Sequence, residues 1–208
     1  MSEFISRRKL VVVGDHACGK TCLLTVFAKG LDSFPQNFPT VFESWVVDIE
    51  IDGKCIALVL WDTATGTIEH ARLRPLSYPD AHTVLICFAV DRTEALDDWI
   101  PEVLHFCSTL PILLVACKTD LRADPAMPEQ KTLTPAEVRA FKLFPSVPPG
   151  ADAAARQGEA FAQEINVYRY VECSTKSREG VKEVFEQAMH AVLPRWQDHG
   201  RPRRCIVL

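Results

Sequence analysis

Short apolar runs alternate along the chain with segments of helical character. Residues 9–13, 83–90 and 111–117 are almost continuously apolar, which is typical of strands buried on both faces of a sheet. Residues 19–28 follow the first run, and residues 93–107 lie between the other two. Both of these segments are predicted to be helices. The pattern therefore predicts strands and helices in alternation.

Two segments of alternating apolar and polar residues, Glu43–Ile51 and 54–61, flank the dipeptide Asp52-Gly53. That dipeptide is a strong signal for a two-residue turn, so the segments are predicted to form an antiparallel hairpin. Further on, residues 167–173 are predicted to be the last strand and residues 178–195 the last helix. The apolar residues of that helix recur at a spacing of three and four and define one buried face: Val181, Val184, Phe185, Ala188, Met189, Val192 and Leu193.

The remaining segments are less regular. Residues 32–40 and 62–71 are predicted to be loops. Residues 122–150 are rich in proline and are predicted to be an irregular insertion. This insertion contains a helix start at Thr134, where a capping hydroxyl is followed by proline and, three residues on, by glutamate. Residues 151–165 are predicted to be helical.

Strands that alternate with helices imply a parallel sheet with helices on both faces, which is a three-layer α/β fold. The hairpin brings the predicted strands to six and makes one edge strand antiparallel. Ligands bind such sheets outside the carboxyl ends of the strands. The loops that directly follow strands are therefore where binding and catalysis are expected.

The composition suits one globular domain, expected over residues 1–195, with a short tail over residues 196–208. The chain has 208 residues, of which 48% are hydrophobic and 24% are charged, enough for a buried sheet. Its net charge of -4 offers no basic face for nucleic acid. The eight cysteines are scattered, and no secretory leader is recognised. Free thiols are therefore expected rather than disulfides.

The loop after the first predicted strand has the pattern G-x-x-x-x-G-K-[ST], which binds phosphates in many proteins. Its glycines let the backbone approach a phosphate closely, so that amide groups point at the oxygens. Lys20 can reach the β- and γ-phosphates, and Thr21 can place its hydroxyl on Mg²⁺. The motif consists of Gly14, Asp15, His16, Ala17, Cys18, Gly19, Lys20 and Thr21.

Three other loops after strands carry residues suited to a nucleotide. Asp120 can accept two hydrogen bonds from guanine, a pair of donors that adenine lacks, and the stem of Lys118 can lie along the base. A second loop, Cys173-Ser174-Thr175-Lys176, also follows a strand and can offer backbone N–H groups to the base carbonyl. Asp62 can bind Mg²⁺ through water.

The order and spacing of these motifs resemble those of Ras-like GTPases, and within that superfamily the chain looks like the Rho family. The resemblance covers residues 7–208, and the proline-rich insertion lies where Rho proteins carry an extra helix. It implies a Ras-like P-loop NTPase fold, GTP and GDP with Mg²⁺ as ligands, and GTP hydrolysis. The segments that read almost as Rho proteins do are residues 39–43, 72–80 and 105–107.

The resemblance also assigns roles to residues outside these motifs. It makes Thr40 the switch I threonine, which binds Mg²⁺ and senses the γ-phosphate, and it places Phe34 against the guanine. Other nucleotide contacts implied in this way are Cys22, Gly66, Cys117, Leu121 and Thr175. The implied effector surface consists of Val41, Phe42, Glu43, Trp45, Leu73 and Leu76.

The sequence departs from the family pattern around the phosphates. His16 stands where Ras-like proteins carry a small glycine, facing the γ-phosphate and the path of an activating arginine. The glutamine that orients the attacking water is also missing. Without a gap Gly66 takes its position; with one inserted residue Thr67 does, and this alignment keeps Arg72-Leu73-Arg74-Pro75 in register. In the segment Cys117-Lys118-Thr119-Asp120, called the base loop below, Cys117 replaces the asparagine of the family, so weaker nucleotide affinity is expected.

The last four residues form a C-a-a-X box, in which Cys205 is the prenylation site and the terminal leucine favours geranylgeranylation. One prenyl chain anchors a protein only reversibly, and the tail arginines add attraction to an anionic leaflet. We expect a monomer on the cytoplasmic face of the plasma membrane or an endomembrane, with an extractable cytosolic pool. The resemblance implies effectors, exchange factors and a RhoGDI-like extractor as partners.

Two functions remain open at this point. The first is a Rho-type molecular switch with impaired GTP hydrolysis. The second is a constitutively GTP-bound module that binds effectors and is controlled by abundance or location. A P-loop ATPase or kinase is disfavoured by Lys118 and Asp120, and by the absence of a lid-like arginine cluster.

Overall fold

The structure is a computed structural model that describes residues 6–30, 43–63, 68–92, 96–123 and 167–197. The predictions for the switch I loop, most of the insertion, the helix over 151–165 and the C-terminal tail concern residues outside these ranges. Among the described residues, no helix is long and apolar enough to span a bilayer.

Six strands of the described residues form a single sheet: β1 Ser6–Gly14, β2 Glu43–Ile51, β3 Lys54–Asp62, β4 Thr83–Ala89, β5 Ile112–Cys117 and β6 Val167–Glu172. Their spatial order is β2-β3-β1-β4-β5-β6. All neighbours are parallel except β2 and β3, so β2 is an antiparallel edge strand, as predicted.

The described helices are α1 Lys20–Lys29, α2 Ile68–Leu73, α3 Leu96–Cys107 and α4 Val181–Gln197. The prediction of a loop over residues 62–71 was wrong at its end, because α2 begins at Ile68 and is followed directly by a 3-10 turn over Arg74–Ser77. Six residues are too few to show helical periodicity in a sequence. A second 3-10 turn spans Thr119–Ala123.

The hairpin between β2 and β3 is confirmed. Asp52 and Gly53 both have positive φ angles, 51° and 71°, as a type I′ turn requires. β1 begins three residues earlier than predicted. The reason is that β3, which pairs with β1, extends far enough for Ile56 to pair with Ser6.

The sheet separates two apolar cores. Leu10 and Val12 of β1 face the core that α1 and α4 cover, where Phe27 and Phe185 stack with ring centroids 3.6 Å apart. The alternate residues of β1 face the other core, which α3 covers. Apolar residues are needed on both faces, and this accounts for the uninterrupted apolar run that marks β1 in the sequence.

Candidate functional site

The loop between β1 and α1 is bounded by two glycines that the backbone requires. A Cβ atom on Gly14 would lie 1.9 Å from the carbonyl oxygen of Cys87, and its φ of 141° is unfavourable for other residues. Gly19, with φ of 116°, is the residue before α1 and makes no side-chain cap. Between them Ala17 also has a positive φ, 56°. α1 begins directly after this loop, and the free amide groups at the start of a helix attract anions.

Lys20 is folded back over this loop. Its side chain is buried, and its Nζ donates hydrogen bonds of 2.7 Å to the carbonyl oxygens of both Gly14 and Asp15. A buried ammonium held by neutral carbonyls at the mouth of an amide-lined loop is suited to a phosphate. The other loop side chain singled out in the sequence, His16, is exposed to solvent.

Thr21 and Asp62 meet beside the loop. The Thr21 hydroxyl donates a hydrogen bond of 2.7 Å to Oδ2 of Asp62, which is only 1% exposed. Burial raises the pKa of this carboxyl to about 6, against the opposing effects of the Thr21 hydrogen bond and the charge of Lys20. Its second oxygen, Oδ1, is buried and has no hydrogen-bond partner among the described residues.

That unpartnered oxygen tests the fit of Mg²⁺ to the site. A hard cation with its waters suits a buried carboxylate oxygen beside a threonine hydroxyl. The described residues contain no group of three or more His, Cys, Asp or Glu arranged to hold a metal. Mg²⁺ in phosphate sites takes only one or two protein ligands together with phosphate oxygens and water. Thr21 and Asp62 therefore fit the ion.

The loop after β5 positions Asp120. Lys118 adopts a positive φ of 61°, and the chain then enters the 3-10 turn that contains Asp120. Ser174, in the loop after β6, donates a hydrogen bond of 2.6 Å from Oγ to Oδ1 of Asp120. Lys176 places its Nζ 3.9 Å from Oδ2 of the same carboxylate. The two loops that the sequence associated with the base thus meet at one carboxylate.

Within the loop that is predicted to offer backbone N–H groups to the base, Ser174 is not available as a donor. Its N–H already donates to the carbonyl oxygen of Glu179, at 2.9 Å, so it cannot be offered to a base. Thr175 and Lys176 remain as backbone donors for that purpose. The hydroxyl of Ser174 instead accepts from the N–H of Ser177, at 3.1 Å, while it donates to Asp120.

The orienting role of Ser174 was not predicted from the sequence. The only signal was a small hydroxyl residue directly after a strand. Such a residue can be recognised as a partner of Asp120 only when β5 and β6 are known to be neighbours. An ion pair also joins the turn after β5 to the end of β6, since the guanidinium nitrogens of Arg122 lie 2.6 Å and 2.8 Å from the carboxylate oxygens of Glu172.

The predicted effector residues that are described lie on two elements. Glu43 begins β2 and is exposed, whereas Trp45 is half-buried and packs against the core. Leu73 and Leu76 are 49% and 69% exposed, an unusual degree for leucine. The segment that carries them is fixed at Arg74, whose guanidinium makes two hydrogen bonds to the Glu102 carboxylate of α3, at 2.6 Å and 2.5 Å.

The remaining predicted site residues are placed less directly. Cys22 is half-buried in the first turn of α1, and Leu121 packs against the core beneath the base loop. Cys117 is buried at the end of β5, below the phosphate loop. The positions that lie outside the described residues are Phe34, Thr40, Val41, Phe42, Gly66, Thr67 and Cys205.

Comparison with known proteins agrees with this geometry. The sequence profile of the Ras family matches residues 9–194. The GTP-binding protein rho1 of Schizosaccharomyces pombe is 51% identical, over 97% of this chain and 98% of its own. Human Rho-related GTP-binding protein RhoB is 49% identical, over 96% and 95%. RHO1 of Candida albicans is 47% identical, over 97% and 96%. The chain therefore belongs to the Ras family and, within it, to the Rho-type small GTPases.

Proposed function

We propose that this chain is a membrane-anchored, GTP-dependent switch whose hydrolysis of GTP is impaired. The observation that carries the nucleotide assignment is that Lys20 and Thr21 at the start of α1 lie beside Asp62 at the end of β3, with Asp120 in the loop that follows the carboxyl end of β5. The names of the relatives rho1 and RhoB as GTP-binding proteins support it.

Guanine is selected by Asp120. Its carboxylate accepts hydrogen bonds from the N1–H and N2–H₂ groups of the base, and Ser174 and Lys176 hold it in place. Adenine would cover the carboxylate without supplying these donors, and a desolvated acceptor that loses its hydrogen bonds is costly. The aliphatic stem of Lys118 lies along the base, and Phe34 packs against its edge.

The phosphates are bound by the loop from Gly14 to Thr21. Backbone amides of the loop and of the start of α1 face the phosphate oxygens, and Lys20 moves its ammonium from the loop carbonyls to the β- and γ-phosphates. Thr21, Thr40 and, through water, Asp62 hold Mg²⁺. When bound, the ion neutralises charge on the β- and γ-phosphate oxygens.

Hydrolysis is impaired because the residues that orient water and admit an arginine finger have changed. Thr67, or Gly66 in the ungapped alignment, replaces the glutamine of the family and is too short to hold both water and phosphate. His16, which is exposed, puts an imidazole ring where the family carries glycine, and this ring would obstruct the path of an activating arginine. That arginine contributes roughly 10³ to 10⁵ in rate where it acts.

The test is single-turnover phosphate release from protein preloaded with GTP, with and without the domain of a Rho-type GTPase-activating protein (GAP). The GAP domain is expected to raise the rate of phosphate release less than tenfold. The double change His16→Gly with Thr67→Gln should restore part of the rate, and each single change serves as the control for the other. Stimulation of a hundredfold or more in the unmodified protein would contradict the proposal.

The same residues support a second candidate, a module that is permanently loaded with GTP and signals without cycling. The nucleotide released from freshly purified protein separates the two. GDP supports a slow switch that still completes its cycle, whereas GTP in nearly all molecules supports the permanently loaded module.

The proposal extends to location and partners. The GTP-binding domain spans residues 1–195, with the Rho-type insertion at about 122–150, and the basic tail at 196–208 carries the prenylation site Cys205. The protein acts as a monomer at the cytoplasmic face of a membrane, and a RhoGDI-like protein extracts it. Effectors and exchange factors contact the exposed leucines Leu73 and Leu76 and neighbouring switch residues.

A further inference from the structure

Four buried cysteines lie close to the nucleotide loops, one within the phosphate loop and three at or near the ends of β4, β5 and β6, although the proposed GTP chemistry uses no thiol. All four are free and no more than 3% exposed. Burial raises the pKa of the Cys18 thiol to about 12, which keeps that member of the group protonated at neutral pH. The cluster consists of Cys18, Cys87, Cys117 and Cys173.

Two members of the cluster are in position to be joined. Ala116 of β5 is paired with Glu172 of β6, so the next step of this register brings Cys117 beside Cys173. Their Sγ atoms are 3.9 Å apart. Neighbouring strands lie about 4.8 Å apart, within the roughly 4.4–6.8 Å between Cα atoms that a disulfide bridges. A side-chain rotation with a small backbone shift is enough to close the bond.

Both residues directly precede the loops that hold the base. Cys117 comes before Lys118, and Cys173 before Ser174, which orients Asp120. Cys117 also supports the phosphate loop from below, because a Cβ atom on Gly19 would lie 3.3 Å from the Cβ atom of Cys117. The pair therefore lies where the phosphate loop, the base loop and the loop after β6 meet.

We propose that Cys117 and Cys173 are an oxidisable pair, and that closing the disulfide between them weakens the hold of the site on guanine nucleotides. The effect on nucleotide binding rests on the proposed function, whereas the pairing rests on the sulfur geometry alone. The oxidant is a small peroxide.

The reaction balances as a two-electron oxidation of the pair. Cys173 donates its S–H toward the sulfur of Cys117, which makes Cys117 the better thiolate and the attacking group. Cys117 attacks one peroxide oxygen, the O–O bond breaks, and a sulfenic acid forms with loss of one water. Cys173 then attacks the sulfenic sulfur and a second water leaves. Two thiols and one peroxide give one disulfide and two waters.

The disulfide weakens nucleotide binding because the sulfurs must approach from 3.9 Å to about 2.05 Å. This contraction shifts Cys117, which packs against Gly19, and moves the backbone directly before Lys118 and Ser174. The carboxylate of Asp120 is held at 2.6 Å by Ser174, so a shift of Ser174 changes the orientation of the carboxylate. By linkage, a bound guanine nucleotide must oppose formation of the disulfide to the same extent.

The first experiment maps the bond in full-length protein. A Cys55→Ser variant, which lacks the exposed thiol of β3, is treated with hydrogen peroxide, either loaded with GDP and Mg²⁺ or emptied with EDTA. Peptide mass spectrometry should find a crosslink between Cys117 and Cys173, formed at least fivefold faster in the emptied protein. A crosslink between other cysteines, or none, would overturn the pairing.

The second experiment measures the consequence. Release of fluorescent GDP should be at least fivefold faster from oxidised than from reduced protein, and dithiothreitol should restore the slow rate. Cys173→Ala, compared with its own reduced form, should show no change on oxidation, and Cys173→Ser replaces it if the alanine variant does not fold. A mapped disulfide with unchanged release would overturn the proposed effect. Reduced protein that binds no GDP would contradict the proposed function instead, and the mapping would still decide the pairing.

Discussion

The hydroxyl of Ser174 lies 2.6 Å from Oδ1 of Asp120 and donates a hydrogen bond to it, although the two residues are 54 positions apart in the chain. Ser174 is fully buried, and the N–H of Ser177 donates to its Oγ at 3.1 Å. The carboxylate is therefore oriented before any base arrives. Preorganisation of this kind reduces what ordering of the loop costs on binding.

Replacement of Asp120 by alanine should weaken GTP binding at least about 100-fold, because two charge-assisted hydrogen bonds of about 1.5–3 kcal/mol each are lost. Ser174→Ala should weaken GTP binding about fivefold, the equivalent of one ordinary hydrogen bond. Ser174→Thr should recover most of the lost affinity. Titration with fluorescent GTP and ATP analogues measures both affinity and selectivity. Equal affinity of the wild type for the two nucleotides would contradict the assignment of Asp120.

Chelation of Mg²⁺ should accelerate nucleotide release at least tenfold, because the phosphates lose the ion that Thr21 and Asp62 hold on the protein side. Thr21→Ala should release quickly even with Mg²⁺ present, whereas Thr25→Ala, one turn further along α1, should behave as wild type. Release of a fluorescent GDP analogue, followed with and without EDTA, checks this. A rate that EDTA leaves unchanged would show that the phosphate site is built differently.

The pKa of Asp62, raised by burial to about 6, should make the stability of the metal-free, nucleotide-free protein depend on pH. An unfolded aspartate titrates near 3.9, so the folded state binds the proton more tightly. This contribution is fully present below about pH 4 and is lost as the pH rises through 6, amounting to roughly 3 kcal/mol at most. The measurement is the thermal unfolding temperature in EDTA, compared between the wild type and Asp62→Asn. The two unfolding temperatures should converge as the pH is lowered. Parallel curves from pH 4 to 7 would disprove the shift.

Cys117→Asn should slow the release of nucleotide several-fold. The thiol of Cys117 packs under Gly19 but donates only weakly, whereas an amide can hydrogen-bond to backbone groups of both loops. The measurement is GDP release under reducing conditions, with Cys117→Ser as a control of similar size to the thiol. A faster release from the asparagine variant would show that Cys117 does not limit affinity.

Cys205→Ser should shift the protein from the membrane pellet to the soluble fraction of a cell lysate. The reason is that the prenyl chain supplies most of the apolar surface available for insertion, and the tail arginines alone bind weakly. Cys55→Ser, which removes an exposed thiol elsewhere, is the control. Should the Cys205 variant still pellet like the wild type, the anchor lies elsewhere in the chain.

The sequence by itself determined the elements and the type of site. The hairpin could be predicted because Asp52 and Gly53 supply the positive φ angles that its turn needs. β1 could be predicted because a strand with a core on each face requires an uninterrupted apolar run. The phosphate loop was recognisable for a similar reason, because Gly14 lies so close to the backbone of Cys87 that no side chain fits at this position. Each of these signals is local, since the conformation of a few consecutive residues dictates their type.

The tertiary structure decided how the loops act on one another. The sheet order brings β6 beside β5 and so joins Ser174 to Asp120 and Cys173 to Cys117. No periodicity or motif encodes such contacts, because residues more than 50 positions apart meet only when strand pairing is fixed by the packing of the whole sheet. For the same reason the sequence could not show that the N–H of Ser174 is already used by Glu179. Local chemistry thus named the site, and long-range pairing set its geometry.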